Sequence, residues 1–187
     1  MSSDWQWKLE EAVKRIQERY DYVGSKTGAA FMAVVYPPEA ETAVYKEWQV
    51  QLERLGPEYD VQAIDVLALT MAAVAGLGSQ NIVTAMADPM PGSNPEADLG
   101  RTWIAAVTQA IHDCLDNSAK GRPVAVLHNV AALYPVTGPR ALLQALWDNP
   151  RPLNGPVIIF IPGKLVAARE YTFPNKVTEV MYRGDIL

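Results

Sequence analysis

The chain alternates between short, almost wholly apolar runs and longer stretches in which apolar positions recur at helical spacing. Near the start, Leu9, Val13 and Ile16 fall three or four residues apart among charged residues, which predicts an amphipathic helix over residues 4–22. Later, residues 156–161 read PVIIFI, a pattern typical of a strand buried on both faces of a parallel sheet. The chain is therefore expected to combine buried strands with amphipathic helices.

Turn-forming residues divide this pattern into elements that alternate along the chain. Strands are predicted over residues 30–36, 59–64, 123–127, 156–161 and 176–182. Helices are predicted over residues 4–22, 38–55, 65–75, 79–87, 96–117 and 139–147. The alternation predicts an α/β fold with a layered, mostly parallel sheet of about five strands and helices on both faces.

No shift in composition marks a boundary between domains. With 187 residues the chain has the length of one domain, so residues 1–187 are expected to fold as a single α/β domain. Residues 88–96, DPMPGSNPE, hold three prolines and a glycine. We expect this stretch to form a mobile loop.

The charge and the cysteine content exclude several classes of function. The net charge of −5 disfavours direct binding of nucleic acid. A single cysteine, Cys114, and two distant histidines predict neither an internal disulfide nor a metal site, and no motif indicates a cofactor. The start of the chain does not have the pattern of a leader, and no apolar run reaches the length of a membrane span. We therefore expect a cytoplasmic protein without a membrane anchor.

The stretch FMAVVYPPEAE, residues 31–41, bears on whether the chain binds phosphate. In many α/β proteins a glycine-rich loop follows the first strand, and its backbone N–H groups hold phosphate. Here Pro37 and Pro38 contribute no N–H, and Glu39 would repel a phosphate. Residues 23–28, VGSKTG, lack a glycine before the lysine and follow a predicted helix rather than a strand. The order of elements thus resembles a P-loop NTPase core without its phosphate loop.

The third predicted strand ends in His128 and Asn129, where a P-loop NTPase has an acid that holds the metal or polarises water. His128 could act as a general base, although a single histidine at a strand end is more often a hydrogen-bonded structural residue. Lys164 follows the fourth strand. Together these residues leave open a degenerate nucleotide- or phosphate-binding site at the carboxyl ends of the strands.

Five tryptophans lie on predicted helices, and the first two suggest a protein contact. Trp5 and Trp7 are two residues apart, so one helix cannot bury both side chains on the same face. At least one of them is expected to pack elsewhere or to be exposed. Exposed aromatic residues favour protein contacts, whereas packing against the chain's own loops is the equally open alternative.

Four segments carry a resemblance to a known family. These are VVYPPEAE, VAVLHNVAALYPVTGPRALLQAL, GPVIIFIPGK and EVMYRGDIL, and together they resemble the BrxB family of bacterial BREX phage-defence systems. The positions that match the family pattern are Tyr36, Pro37, Pro38, Glu39, Tyr134, Pro135, Leu142, Leu143, Pro162, Gly163, Tyr182 and Arg183. Arg140 lies five residues after Pro135, farther than the family's arginine, which indicates a divergent member.

The resemblance implies a non-enzymatic component of a multiprotein anti-phage complex. Its implied partner is the PglZ-type protein of the same system, which belongs to the alkaline phosphatase-like superfamily. Together, the resemblance and the tryptophans predict that the first helix and two strand-end loops contact the partner. The expected partner-binding residues are Trp5, Trp7, Tyr36, Pro37, Pro38, Glu39, Tyr134, Pro135 and Arg140.

Overall fold

A computed structural model describes residues 4–23, 31–118, 121–173, 177–182 and 184–187. The α-helices are α1 (Gln6–Val23), α2 (Glu41–Leu52), α3 (Val66–Leu77), α4 (Ser79–Ala87), α5 (Pro95–Asp116) and α6 (Pro139–Asp148). The strands are β1 (Phe31–Tyr36), β2 (Tyr59–Asp65), β3 (Arg122–His128), β4 (Val157–Pro162), β5 (Lys164–Ala167), β6 (Glu170–Phe173), β7 (Val177–Val180) and β8 (Asp185–Ile186). Short 3-10 helices cover Pro38–Ala40 and Val130–Leu133. Residues 24–28 of the VGSKTG stretch, and Arg183, lie outside the described residues.

The main sheet has five parallel strands in the order β2-β3-β4-β1-β8. Its first four strands are the first four predicted from the apolar runs, and the layered, mostly parallel α/β fold is confirmed. All six residues of β1 and of β4 are buried, as expected for central strands covered on both faces. The expected likeness to the order of a P-loop NTPase remains a prediction, and it concerns fold alone.

The fifth predicted strand, over residues 176–182, forms within that range but belongs to a different sheet. Residues 177–180 do form a strand, but it pairs antiparallel with β6 in a separate sheet of order β5-β6-β7. The fifth strand of the main sheet is β8, which pairs with β1. The buried Leu187 extends this edge, because its N–H donates to the Ala33 carbonyl and its carbonyl accepts from the Val35 N–H. The hairpin of β5 and β6, which supplies the partner for β7, was missed from the sequence.

Helices cover the main sheet on both faces because its central strands are apolar on both faces. Along β1, Phe31, Ala33 and Val35 join a core cluster with α5, α6 and the buried side chains of β6. The intervening Met32, Val34 and Tyr36 join a second cluster with α1 and α2. The small sheet thus shares a hydrophobic core with one face of the main sheet.

The link between α4 and α5 is shorter than the predicted mobile loop. Residues 88–94 are irregular and exposed, and α5 begins at Pro95. Asn94 ends the loop because its side-chain oxygen accepts a hydrogen bond from the Ala97 N–H at 3.0 Å. The mobility of this loop remains a prediction.

Within the described residues, no single helix is long and apolar enough to cross a membrane. Helices α3 and α4 meet such a test only as a pair, and they are bent by 79° at the break between them.

Candidate functional site

The carboxyl ends of the parallel strands bring several of the predicted site residues to one edge of the main sheet. Tyr36 ends β1, Asp65 ends β2, and His128 ends β3 directly opposite Asp65 in the register. Asn129 follows in the left-handed region, with φ of 57°. Ligands of open α/β sheets bind at this edge. We refer to Tyr36, Tyr45, Asp65, His128 and Asn129 as the strand-end cluster.

The polar side of the strand-end cluster is a chain of hydrogen bonds. The Asn129 side-chain amide donates to the Asp65 carboxylate at 2.9 Å, and the Asn129 N–H donates to the Tyr45 hydroxyl at 3.2 Å. Asp65 also caps α3, because the same carboxylate accepts from the N–H groups of Leu67 and Ala68 at 3.0 and 3.3 Å. The hydrogen bond from Asn129 is the main reason why the pKa of Asp65 is lowered. Asp65 is therefore ionised at neutral pH.

The other side of the cluster is aromatic and surrounds His128. The His128 ring stacks on Phe160 with centroids 5.4 Å apart, and the Tyr45 ring meets it edge-on at 4.7 Å. Burial lowers the pKa of His128, and the Asp65 charge opposes that shift only in part. The imidazole is thus neutral at pH 7 and held among rings. This environment favours the structural alternative for His128 over the role of a general base.

Tyr36 does not present its side chain at the surface, contrary to the expectation from the sequence. It is 1% exposed, and its hydroxyl lies 3.4 Å from that of Tyr45. Burial raises its pKa. The ring points inward because the even positions of β1 face α1 and α2, which the position of Tyr36 at a strand end did not reveal.

The other expected partner-binding residues divide between the core and the surface. Trp5 is 9% exposed and Trp7 is 49% exposed, so one of the two tryptophans is indeed accessible. Tyr134 is half-buried and Pro37 is intermediate. The side chains of Pro38, Glu39, Pro135 and Arg140 are exposed. Their role in binding a partner remains a prediction.

The expected partner-binding residue Arg140 and the expected phosphate-binding residue Lys164 have different surroundings. The backbone N–H of Arg140 donates to the Glu179 carboxylate at 3.1 Å, and the Arg140 guanidinium lies over the Tyr182 ring. Lys164 is exposed at the start of β5, where its N–H donates to the Thr172 hydroxyl at 3.0 Å. In the part of the chain that the structure describes, no group of three or more acidic, histidine or cysteine side chains could hold a metal ion.

The most unusual surface lies elsewhere, on α3 and α4, and the sequence reading did not single it out. From Val66 to Ala87 the chain has no charged residue. Six large apolar side chains in and just after this segment are between 38% and 76% exposed: Leu67, Met71, Leu77, Val83, Met86 and Met90. We call residues 66–87 the apolar hairpin.

Local sequence explains why the apolar hairpin folds as it does. Asp65 caps α3, and Gly78, with φ of 81°, ends it and starts α4. Only one stripe of the hairpin reaches the core, with Val66 buried and Leu69, Val74 and Ile82 partly covered. An all-apolar helix is usually buried, whereas α3 leaves Leu67, Met71 and Leu77 exposed. The long stretch without charges was the available signal.

The sequence on either side of the apolar hairpin is acidic. Residues 55–100 contain six aspartates and glutamates but no lysine, arginine or histidine. These acids are Glu58, Asp60, Asp65, Asp88, Glu96 and Asp98. Arg101, just beyond, pairs with Asp98.

Comparisons of the chain with protein-family models, with curated proteins and with solved structures found no match in any of the three.

Proposed function

We propose that this protein is a non-enzymatic interaction module whose apolar hairpin binds a protein partner. The observation that carries the proposal is a 22-residue segment without charge that leaves six large apolar side chains exposed nearby. Contiguous exposed apolar surface is uncommon on a protein that works alone, and it marks sites of association. Three of the six side chains are methionines, whose flexible thioethers adapt to a partner's shape.

The charge around the hairpin defines the chemistry of its partner. The acidic sequence that flanks the hairpin favours an apolar helical face accompanied by lysine or arginine residues. The same acids would repel the anionic headgroups of a cytoplasmic leaflet, which argues against a lipid surface as the occupant. A helix laid across α3 and α4 would bury the exposed side chains and pair its flanking cations with the acids.

The particular system is proposed on the four sequence segments that resemble the BrxB family. On that resemblance the module belongs to a BREX-type anti-phage complex, and its partner is a PglZ-type phosphatase-like protein. The aromatic packing around His128 and the two prolines after β1 support a role without catalysis.

The test is co-purification with a PglZ-type partner, using charge substitutions on the hairpin. Leu67→Glu, Met71→Glu and Val83→Glu alter side chains that are 48%, 60% and 59% exposed, so each should fold within about 0.5 kcal/mol of the parent. Each should weaken binding roughly 30-fold, the effect of losing about 2 kcal/mol at an interface centre. Val50→Glu is the matched control, because Val50 is 52% exposed on α2, across the sheet.

Two results would count against the proposal. The first is a protein that remains alone beside every component of the system. The second is binding that the hairpin variants and Val50→Glu weaken equally. Flotation of the protein with neutral or anionic vesicles, lost in the hairpin variants, would instead assign the surface to lipid.

A second candidate is a degenerate nucleotide- or phosphate-binding protein that uses the strand-end cluster. The observation that favours it is the placement of Asp65, His128 and Asn129 at the edge where α/β proteins bind ligands. Calorimetric titration with ATP, GTP and a dinucleotide, with and without magnesium, tests it. Absence of binding at millimolar concentrations would eliminate this candidate.

A further inference from the structure

A groove between α5 and α6 belongs neither to the strand-end cluster nor to the apolar hairpin. Its volume is about 1100 Å³, which is large enough for a small organic molecule. Ile104 and Ala105 of α5 line one wall, and Ala141 and Ala145 of α6 line the other. The small side chains on these two helices create the space. We call it the α5–α6 groove.

Polar groups that lack partners line this groove. His112 lines it and is only 2% exposed, and neither ring nitrogen has a hydrogen-bond partner among the described residues. The buried hydroxyl oxygen of Thr108, one helical turn earlier and also lining the groove, is likewise unsatisfied within the described chain. Buried polar groups are nearly always hydrogen-bonded, because an unpaired one costs stability. Two such side chains in one stripe of α5 are therefore candidates to hydrogen-bond a bound molecule.

The electrostatics of the groove indicate a neutral occupant. Burial lowers the pKa of His112, as does the nearby Arg151, while Asp116 and Asp113 oppose the shift. The imidazole is therefore neutral, with one nitrogen that donates and one that accepts a hydrogen bond. Of the two arginines at the rim, Arg101 pairs with Asp98 and Arg151 with Asp116. Their positive charges are already balanced, so the groove does not select for an anion.

We propose that the α5–α6 groove binds a neutral small molecule that joins an apolar ring to an amide-type group. The ring would pack on the alanine and isoleucine walls, and the amide would give one donor and one acceptor to His112 and Thr108. This site does not depend on the proposed partner of the apolar hairpin.

The test uses benzamide as the probe and benzoate as its charged match. Imidazole ¹⁵N resonances report binding directly, because the chain has two histidines and His128 serves as the internal reference. Benzamide should shift the His112 resonances saturably and leave those of His128 unchanged. Benzoate should bind at least tenfold more weakly. Unchanged His112 resonances at tens of millimolar benzamide, or equal binding of benzoate, would overturn the proposal.

Two variants separate ligand binding from a structural role. His112→Phe keeps a flat ring but removes both nitrogens, so it should weaken benzamide binding at least tenfold without lowering Tm. Thr108→Val keeps the shape and should weaken binding several-fold. A folded His112→Phe with a lower Tm would mean that the nitrogens are already paired inside the protein, and would contradict the inference. If His112→Phe does not fold, Thr108→Val decides: unchanged benzamide affinity refutes the site.

Discussion

The carboxylate of Asp65 holds together the start of α3 and the end of β3, and its removal gives the most informative test of the fold. One oxygen accepts hydrogen bonds from the N–H groups of Leu67 and Ala68, and from the side chain of Asn129. Asp65→Ala removes all three bonds. Asp65→Ser keeps an oxygen that can cap the helix but is too short to reach Asn129 as the carboxylate does.

The expected magnitudes follow from these contacts. Loss of an N-cap costs about 1 kcal/mol. The bond to Asn129 is exposed, so its loss costs only about 0.5 kcal/mol. Asp65→Ala should therefore lower the free energy of unfolding by about 1.5 kcal/mol, which corresponds to roughly 3–6 °C in Tm for a chain of this size. Asp65→Ser keeps the cap, so it should lose only the contribution of the bond to Asn129, about 0.5 kcal/mol.

Asn129 provides the second arm of a double-mutant cycle. Its φ of 57° would strain most other residues, so Asn129→Ala would add a backbone cost of roughly 1 kcal/mol to the lost bond. Asn129→Gly removes the side chain without that strain. The coupling between Asp65→Ala and Asn129→Gly should be about 0.5 kcal/mol.

Urea unfolding at pH 7, followed by circular dichroism, measures these differences. The pKa of Asp65 is lowered in the folded state, so its contribution is complete above its ordinary value of 3.8 and is lost as the pH falls through the lowered one. The gap between the parent and Asp65→Ala should therefore close in acid. An Asp65→Ala variant within about 0.3 kcal/mol of the parent at pH 7, or an equal loss in Asp65→Ser, would refute the reasoning.

Two further predictions concern the histidines and the glycines. The pKa values of His112 and His128 are lowered by burial, so both should titrate below their ordinary value of 6.5 when followed by NMR. Because protonation then favours the unfolded chain, each should cost up to about 1.4 kcal/mol of stability per pH unit between 6.5 and its lowered pKa, with no further loss below that pKa; a histidine that titrates above 6.5 contradicts this. Gly163→Ala should destabilise by several kcal/mol or prevent folding, because its Cβ would collide with the Thr172 carbonyl. The Cβ added by Gly76→Ala, inside α3, has no atom within 4 Å, so this variant should raise the free energy of unfolding by about 0.5–1 kcal/mol. Thermal unfolding measures both glycine variants, and equal effects of the two alanines would refute the contrast.

Hydrophobic patterning was enough to predict the first four strands, and most clearly β1 and β4, which are buried on both faces; β2 lies at the sheet edge and is only partly buried. The runs at Phe31–Tyr36 and Val157–Pro162 have no polar position to confuse the pattern. The last strand was harder because β8 has only two residues and is held by the pairing of Met32 and Ala33 with Asp185 and Ile186. Pairing across more than 150 residues leaves no local signal in such a short segment.

The candidate site was predictable only in part. The sequence placed His128 and Asn129 at a strand end, and the topology of parallel strands brought them beside Asp65. It could not show that Phe160 and Tyr45 enclose the His128 ring, because those contacts depend on which face each side chain occupies. The same limit concealed the burial of Tyr36 at the end of β1.

The strand-end cluster and the apolar hairpin are linked through one residue, and this link explains how an edge suited to ligands can serve a binding surface. Asp65 ends β2 and is opposite His128 in the sheet, yet its carboxylate also fixes the first turn of α3. The bond from Asn129 then ties the direction of α3 to the end of β3. A helix anchored in this way can leave its apolar side chains exposed without losing its position, because its start is held by polar contacts in addition to the burial of Val66. An acid at the end of a strand, which in a nucleotide-binding protein would face a ligand, here orients the surface proposed to meet a partner.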